Sequence, residues 1–257
     1  MISWCILTFN RADTVAKAIT QNFTSKGSFV DEIVWHDNGS KPEEKKLLEA
    51  FMGSLQEALP VTKIMAPKNL GVHVGYNRTF STSRGDWILV TGCDRLMPKD
   101  WLLKMLQVLD ADTSIHVVSL YTKHISKVPE RLRGPEVSLG GHQVVEAMPF
   151  GARIFSRELL HAVGYLREDF GLYGPSDIEW AERAMRHCDR AGWKYVAMAD
   201  EIADHLGDEG INPHSGADSK EYHEFKQREI SDPSKLEKLE WCLKKNYPYY
   251  NPYSGEI

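Results

Sequence analysis

The sequence predicts an α/β fold: a mainly parallel sheet flanked by helices, continued by a helical C-terminal extension. Three observations carry this. Short apolar runs of strand length alternate with segments of helical period through the first half of the chain. No apolar run approaches the roughly 18 residues of a membrane-spanning helix, so no integral membrane segment is expected. From about residue 212 the composition turns to Lys, Glu, Tyr and Pro, which reads as one or two surface helices and an aromatic tail. The 257 residues, 42% hydrophobic, can bury a core without covalent staples.

The elements follow in order. Residues 2–8 are a first strand, ending at Phe9-Asn10-Arg11. Asp13 is placed to cap a helix carrying Val15, Ala18 and Ile19 on one face. Residues 32–36 form a second strand, stopped by the turn residues Asp37-Asn38-Gly39-Ser40. Ser40-Lys41-Pro42-Glu43 matches a capping box, and the helix behind it presents Leu47, Leu48, Phe51 and Leu55 inward. Residues 61–65 are a third strand, Asn69-Leu70-Gly71 a loop, and 76–83 a helix. Residues 87–91 are a fourth strand, and Pro98 opens a helix with Trp101, Leu102, Met105, Leu106 and Leu109 inward. Strands follow at 115–121 and 148–155, with 129–141 loop-like between them. A helix at 176–190 leads to a strand at 193–198. The chain divides into a main domain, 1–211, and an extension, 212–257, packed on it.

Charge and cysteines narrow the function. With 31 basic and 36 acidic residues the net charge is −5, which disfavours general electrostatic binding to nucleic acid or anionic lipid. Four cysteines, Cys5, Cys93, Cys188 and Cys242, are far apart and form no CxxC, so neither a disulfide framework nor a structural zinc site is expected. With no basic, apolar leader at the N-terminus, the expected location is cytoplasmic.

In a parallel sheet the loops after the strands converge at the carboxyl edge, where ligands bind. Four such loops carry a pattern: Thr8-Phe9-Asn10-Arg11; Asp37-Asn38-Gly39-Ser40; Asn69-Leu70-Gly71 with Gly75-Tyr76-Asn77; and Arg84-Gly85-Asp86-Trp87-Ile88-Leu89-Val90 running into Asp94 and Pro98. A fifth stretch runs Phe170-Gly171-Leu172-Tyr173-Gly174-Pro175-Ser176-Asp177-Ile178-Glu179-Trp180 with Arg183, and Asp204-His205 closes the set. In this order the set resembles the family 2 glycosyltransferases of the GT-A, Rossmann-like fold, over roughly residues 1–206.

The resemblance implies an inverting transferase with a nucleotide-sugar donor, a UDP-sugar first, and a divalent metal, Mn²⁺ or Mg²⁺. It implies donor contacts from Thr8, Asn10, Arg11, Asp37, Asn69, Gly71, Asn77, Arg78 and Cys93. Asp94 stands where the family's Asp-x-Asp motif ends, and it and His205 are the implied metal ligands; an imidazole ligand leans toward Mn²⁺. Asp177 matches the general base. The chain departs from the family twice: Gly92 occupies the first acidic position of the metal motif, and Ser176 replaces the glutamate before the base.

The residues also have plainer readings. Asp37-Asn38-Gly39 suits an ordinary turn, and Asp94 could serve as a cap. Ser176-Asp177-Ile178-Glu179 is itself a capping box, and an Asp in the first helical turn is favoured by the helix dipole. A helix start also fixes a carboxylate rigidly, as a base requires. The acceptor is a glycan or another hydroxyl compound. The basic and aromatic residues of 220–253 would also suit a hydroxymethylated DNA base of the kind some phage-type relatives modify. Two other classes stay open. A nucleotidyltransferase would need a Gly-rich phosphate loop that the sequence lacks, and a non-catalytic sugar-nucleotide binder would fit the loss of the two acids.

Overall fold

The computed structural model describes residues 1–24, 29–122, 135–149, 152–206 and 220–253. Its elements are β1 (Ile2–Thr8), α1 (Ala12–Thr24), β2 (Glu32–Asp37), α2 (Pro42–Leu55), β3 (Val61–Met65), α3 (Val72–Thr82), β4 (Trp87–Val90), β5 (Arg95–Leu96) and α4 (Trp101–Ala111). The second half adds β6 (Ile115–Thr122), β7 (Glu136–Leu139), β8 (His142–Val145), β9 (Arg153–Ser156), α5 (Arg157–Val163), α6 (Ser176–Ala191), β10 (Lys194–His205), α7 (Lys220–Ile230) and α8 (Pro233–Lys245).

The sheet runs β3-β2-β1-β4-β9-β6-β10-β8-β7, with β5 paired to β10. The first four strands are parallel, and β6 pairs parallel to β10. Between these halves β9 lies antiparallel to both β4 and β6. The sheet is therefore mixed and mainly parallel, as the sequence predicts.

Period-two alternation splits the core across the sheet. Trp4, Ile6, Ile33, Trp35 and Leu89 face a layer containing Val15, Leu48, Met52, Trp101 and Met105 of α1, α2 and α4. Cys5, Val34, Ile88 and Phe155 face the opposite layer with Phe80, Leu160, Trp180 and Ala184 of α3, α5 and α6. Every residue of β1 and β2 is buried, including the polar Glu32, His36 and Asp37 of β2.

Several local expectations are corrected. The Ser40 capping box does not form: Lys41 is the N-cap of α2 without a side-chain bond, because Ser40 is claimed by Asp37. On α2 the buried residues are Leu48, Met52 and Leu55, while Leu47 is 55% exposed. Asp13 lies inside α1, and the N–H of Ala12 donates instead to Glu44 Oε2 of α2 at 2.7 Å. Asp100, in the left-handed region at φ 56°, delays α4 to Trp101. Within the segment read as loop, the described part from 136 onward forms the β7–β8 hairpin. The start of that segment lies outside the described residues, as do 123–134 generally. All four cysteines are free, and no helix among the described residues is long and apolar enough to cross a membrane.

The extension is tied to the sheet-bearing body at several points. Tyr165 N–H donates to the Tyr250 carbonyl at 2.7 Å, and Tyr250 N–H to the Val163 carbonyl at 3.2 Å. Lys235 Nζ donates to the Tyr173 carbonyl at 2.6 Å, and Arg186 to the Leu243 carbonyl at 3.1 Å. Gly164, at φ 78°, permits the close approach of the tail: a Cβ there would fall 2.0 Å from the Tyr250 carbonyl oxygen. Gly164→Ala should therefore separate tail from body. The expected cost is about 1–3 kcal/mol, and the tail should become the first site of limited proteolysis.

Candidate active site

The strand-end loops are built by hydrogen bonds among themselves. Asp37 is fully buried, and its carboxylate accepts from the Ser40 N–H at 3.1 Å, from Ser40 Oγ, and from Thr8 Oγ1 at 3.3 Å. Thr8 Oγ1 in turn accepts from Trp35 Nε1 at 2.9 Å. Asn10, left-handed at φ 54°, donates its N–H to Ser40 Oγ at 2.7 Å and accepts at Oδ1 from the Lys41 N–H at 2.8 Å. Asn38 latches the second loop to the third: its amide donates to Asn69 Oδ1 at 3.0 Å and to the Gly71 carbonyl at 3.2 Å, and accepts from the Leu70 N–H at 3.0 Å. Gly39 lets the two backbones touch, since a Cβ there would meet Lys68 backbone atoms at 2.3 and 2.5 Å. Gly71 is similarly pressed against Leu172. The loops are thus set before any ligand arrives.

Arg11 crosses to the next cluster. Its guanidinium donates to Asp94 Oδ2 and to the Leu206 carbonyl, both at 3.3 Å. Asp94 also faces Arg95, Nε to Oδ1 being 3.7 Å. Leu206 N–H donates to the Asp94 carbonyl at 2.8 Å, and the β5–β10 register sets His205 opposite Arg95. The backbones of the two implied metal ligands are therefore adjacent, while the His205 side chain lies outside the described residues. Among the described residues no three His, Cys, Asp or Glu gather into a metal cage. One carboxylate beside a histidine position suits a hard cation that takes its remaining ligands from water and substrate phosphates. The residues fit a metal that arrives with a diphosphate.

Beside this cluster opens a cavity of about 320 Å³. Its walls come from the start of α3 (His73, Tyr76), the turn after β4 (Gly92, Arg95), β9 (Arg153, Phe155), α6 with the turn before it (Tyr173, Asp177, Trp180), and α7 (Lys226, Ile230). Asp177 sits in the first turn of α6 and is exposed only in part. Burial pushes its carboxyl above the usual carboxylate range, with the Arg153 charge and the Ile178 N–H opposing. Arg153 is buried, with its guanidinium 5.7 Å from the centre of the Trp180 ring.

The second capping box also fails to form. Pro175 is the N-cap of α6 and makes no side-chain cap bond. Ser176 Oγ is instead hydrogen-bonded to His73 Nδ1, inside the protein. His73 Nε2, on the cavity wall, has no hydrogen-bond partner among the described residues. Burial lowers the His73 pKa to about 4, so the ring is neutral at physiological pH. Glu179 serves Arg183, accepting from Nε at 3.0 Å and Nη2 at 2.8 Å.

The structure brings together Thr8, Asn10, Asp37, Asn69 and Gly71 at the loop edge, and Arg11 and Asp94 beside them. Cys93 adjoins Asp94, and burial pushes its thiol up to about 12, which keeps it protonated. Asn77 stands apart. It is fully buried and bonded to the Leu166 N–H and carbonyl and to Glu168, a structural link between α3 and the turn before α6. Arg78 is half-buried on α3, and its charge reaches His36. Sequence reasoning missed Arg95, Arg153 and His73. A charge inside an otherwise apolar strand was the available signal for Arg153.

His36 is fully buried with neither ring nitrogen bonded among the described residues, and burial followed by the Arg78 charge lowers its pKa to about 4. A histidine held neutral in the fold takes up its proton more readily when unfolded. The stability from His36 and His73 is therefore complete above about pH 6.5 and is lost as pH falls toward 4. Chemical denaturation at pH 7 and pH 4.5 should show a loss on the order of a few kcal/mol. A His36→Phe variant should lose less.

Fold and site together define an α/β protein whose loops, acid and cavity meet at the carboxyl edge of the sheet. The sequence model of Glycosyl transferase family 2 matches residues 3–166, and the chain belongs to that family. No curated protein matches the sequence. Solved structures are similar in fold. GalNAc-T7 with UDP, GalNAc and Mn²⁺ superposes at a TM-score of 0.64 and 13% identity, over 80% of this chain and 44% of that one. The mannosyltransferase PcManGT of Pyrobaculum calidifontis, in complex with GDP-Man and Mn²⁺, gives 0.59 and 15%, over 100% and 76%. S. aureus TarS 1-349 in complex with UDP gives 0.57 and 17%, over 96% and 72%. This chain thus spans less than half of GalNAc-T7 and about three quarters of the other two.

Proposed function

We propose that the protein transfers a sugar, with inversion, from a nucleoside-diphosphate donor to an acceptor hydroxyl, and that Asp177 is the general base. The observation that carries this reading is the placement of Asp177: fixed at a helix start, on the wall of a cavity beside Asp94, with its pKa raised by burial. A raised carboxyl pKa makes a stronger base once the group is ionised. Arg153 holds its charge next to that carboxylate and favours the ionised form.

The loop edge from Thr8 to Ser40, with Asn69 and Gly71, receives the nucleoside. Asp37 is the carboxylate nearest that role, and a donor would compete for the bonds Ser40 and Thr8 now make. Asp94 and His205 would hold Mn²⁺ or Mg²⁺, which supplies charge neutralisation to a leaving diphosphate when bound. The Mn²⁺ in the GalNAc-T7 and PcManGT structures supports the use of a divalent metal. Their UDP and GDP-Man support a donor of either base, with UDP preferred here as the first to test.

Asp177 accepts the acceptor hydroxyl proton as that oxygen attacks the anomeric carbon from the face opposite the diphosphate. Aromatic walls from Tyr76, Phe155, Tyr173 and Trp180 exclude water and offer stacking surfaces for sugar rings. The extension, 212–257, contributes the acceptor-side wall through α7.

Thermal-shift screening of UDP-, GDP-, dTDP- and CMP-sugars, each with Mn²⁺, Mg²⁺ or EDTA, tests the reading. A ligand that binds the native state alone raises the melting temperature. One donor class is expected to do so, and product analysis with that donor should show inverted stereochemistry. No shift with any donor overturns the proposal.

A further inference from the structure

We propose that Arg95 is a built-in countercation for the donor diphosphate, so that this chain binds a nucleoside diphosphate even with metal removed. The inference rests on the nucleotide-sugar reading above and assigns a residue to it.

The starting point is Gly92, where the family pattern has an acid. A Cβ at that position would fall 2.8 Å from Arg95 Cγ, 3.0 Å from Arg95 Nε and 3.0 Å from Asp94 Oδ1. Arg95 therefore lies across the space that an acidic side chain at position 92 would occupy. The missing acid and the arginine are one structural event: the side chain folds there because residue 92 has none.

Arg95 is also held in place and incompletely used. Asn22 Nδ2 donates to the Arg95 carbonyl at 2.7 Å, and Asn22 Oδ1 accepts from the Met97 N–H at 2.9 Å. Pairing of β5 with β10 fixes the backbone from the other side. The side chain is 14% exposed and lines the cavity. Its Nη1 is buried with no hydrogen-bond partner among the described residues. A buried donor left unpaired is costly, and a guanidinium offers only donors.

Neutralising Asp94 does not account for it. Arg11 reaches Asp94 Oδ2 at 3.3 Å, closer than the 3.7 Å from Arg95 Nε, a separation too long for a hydrogen bond. Two guanidiniums thus flank the Asp94 carboxylate. A diphosphate supplies the opposing charge, and its oxygens match the planar guanidinium fork.

Titration calorimetry with UDP and GDP as probes tests this on wild type, Arg95→Met and Arg95→Lys, in EDTA and in Mn²⁺. Wild type should bind one of the two in EDTA. Arg95→Met, which keeps most of the side-chain volume, should weaken that binding roughly tenfold or more. Arg95→Lys should restore part of it. The double variant Gly92→Asp with Arg95→Met should bind only when Mn²⁺ is present, and unchanged melting temperatures establish that the variants are folded. Wild type that binds only with Mn²⁺ overturns the proposal, as does Arg95→Met binding in EDTA as tightly as wild type. Wild type that binds neither nucleotide under either condition counts against the nucleotide-sugar reading itself.

Discussion

Replacing Asp177 with Asn should reduce sugar transfer by roughly 10²–10⁴-fold while leaving nucleotide binding within about twofold. Asn keeps the shape at the start of α6, and its Oδ1 still accepts from the Ile178 N–H, a bond of 2.9 Å in the native protein. What is lost is the capacity to take a proton. The pH dependence has a definite sign. Because burial raises the Asp177 pKa, the rate in wild type should climb with pH as the carboxyl ionises, then level off. That inflection should lie above the range of an exposed carboxylate. Steady-state assays between pH 4.5 and 8 would show it, and a flat profile together with full Asp177→Asn activity would remove Asp177 from the chemistry.

The largest effect on stability should come from Arg183. Its side chain and that of Glu179 are 3% and 4% exposed, so both charges have left water. Arg183 donates to both Glu179 oxygens, to the Val163 carbonyl and to the Tyr165 carbonyl at 2.8 Å, joining α6 to the turn that receives the tail. Removing one member leaves the other charge buried and alone, which costs about 3–5 kcal/mol. Arg183→Ala should therefore unfold at much lower denaturant than wild type, and Glu179→Gln should lose somewhat less. The double variant Glu179→Leu/Arg183→Met should recover part of the loss, because the desolvation penalty disappears with both charges. Urea titrations of the three proteins would decide it. Equal stabilities would show the pair to be dispensable.

Much of the fold was legible because the strands are buried on both faces and the loops between them use residues of strong turn preference. The converging edge followed from strand order alone, and it did gather Thr8, Asn10, Asp37 and Asn69. Two of the misreadings concern helix starts. Ser40 and Ser176 both sit in capping-box patterns, yet Asp37, three residues back in the same turn, takes the Ser40 hydroxyl, and His73, from α3, takes that of Ser176. A local pattern cannot reveal a competitor distant in the chain, and His73 is 103 residues from Ser176. Asn77 illustrates the reverse error: a polar residue beside site loops proved to be a buried link to Leu166 and Glu168. The α7 wall was legible only as part of the basic and aromatic stretch 220–253; that Lys226 and Ile230 line this cavity depends on how the extension packs.

That wall also bears on how the protein is made. Every strand of the sheet precedes residue 206, whereas Lys226 and Ile230 belong to a helix that leaves the ribosome afterwards. Domains acquire structure as they emerge, so the edge formed by the strand-end loops is assembled while the cavity is still open on one side. The loop edge can thus mature before the wall that α7 adds to the cavity. Substitutions in α7 can then reshape what the cavity admits without touching the turn that holds Asp94 or the strand that holds Arg153.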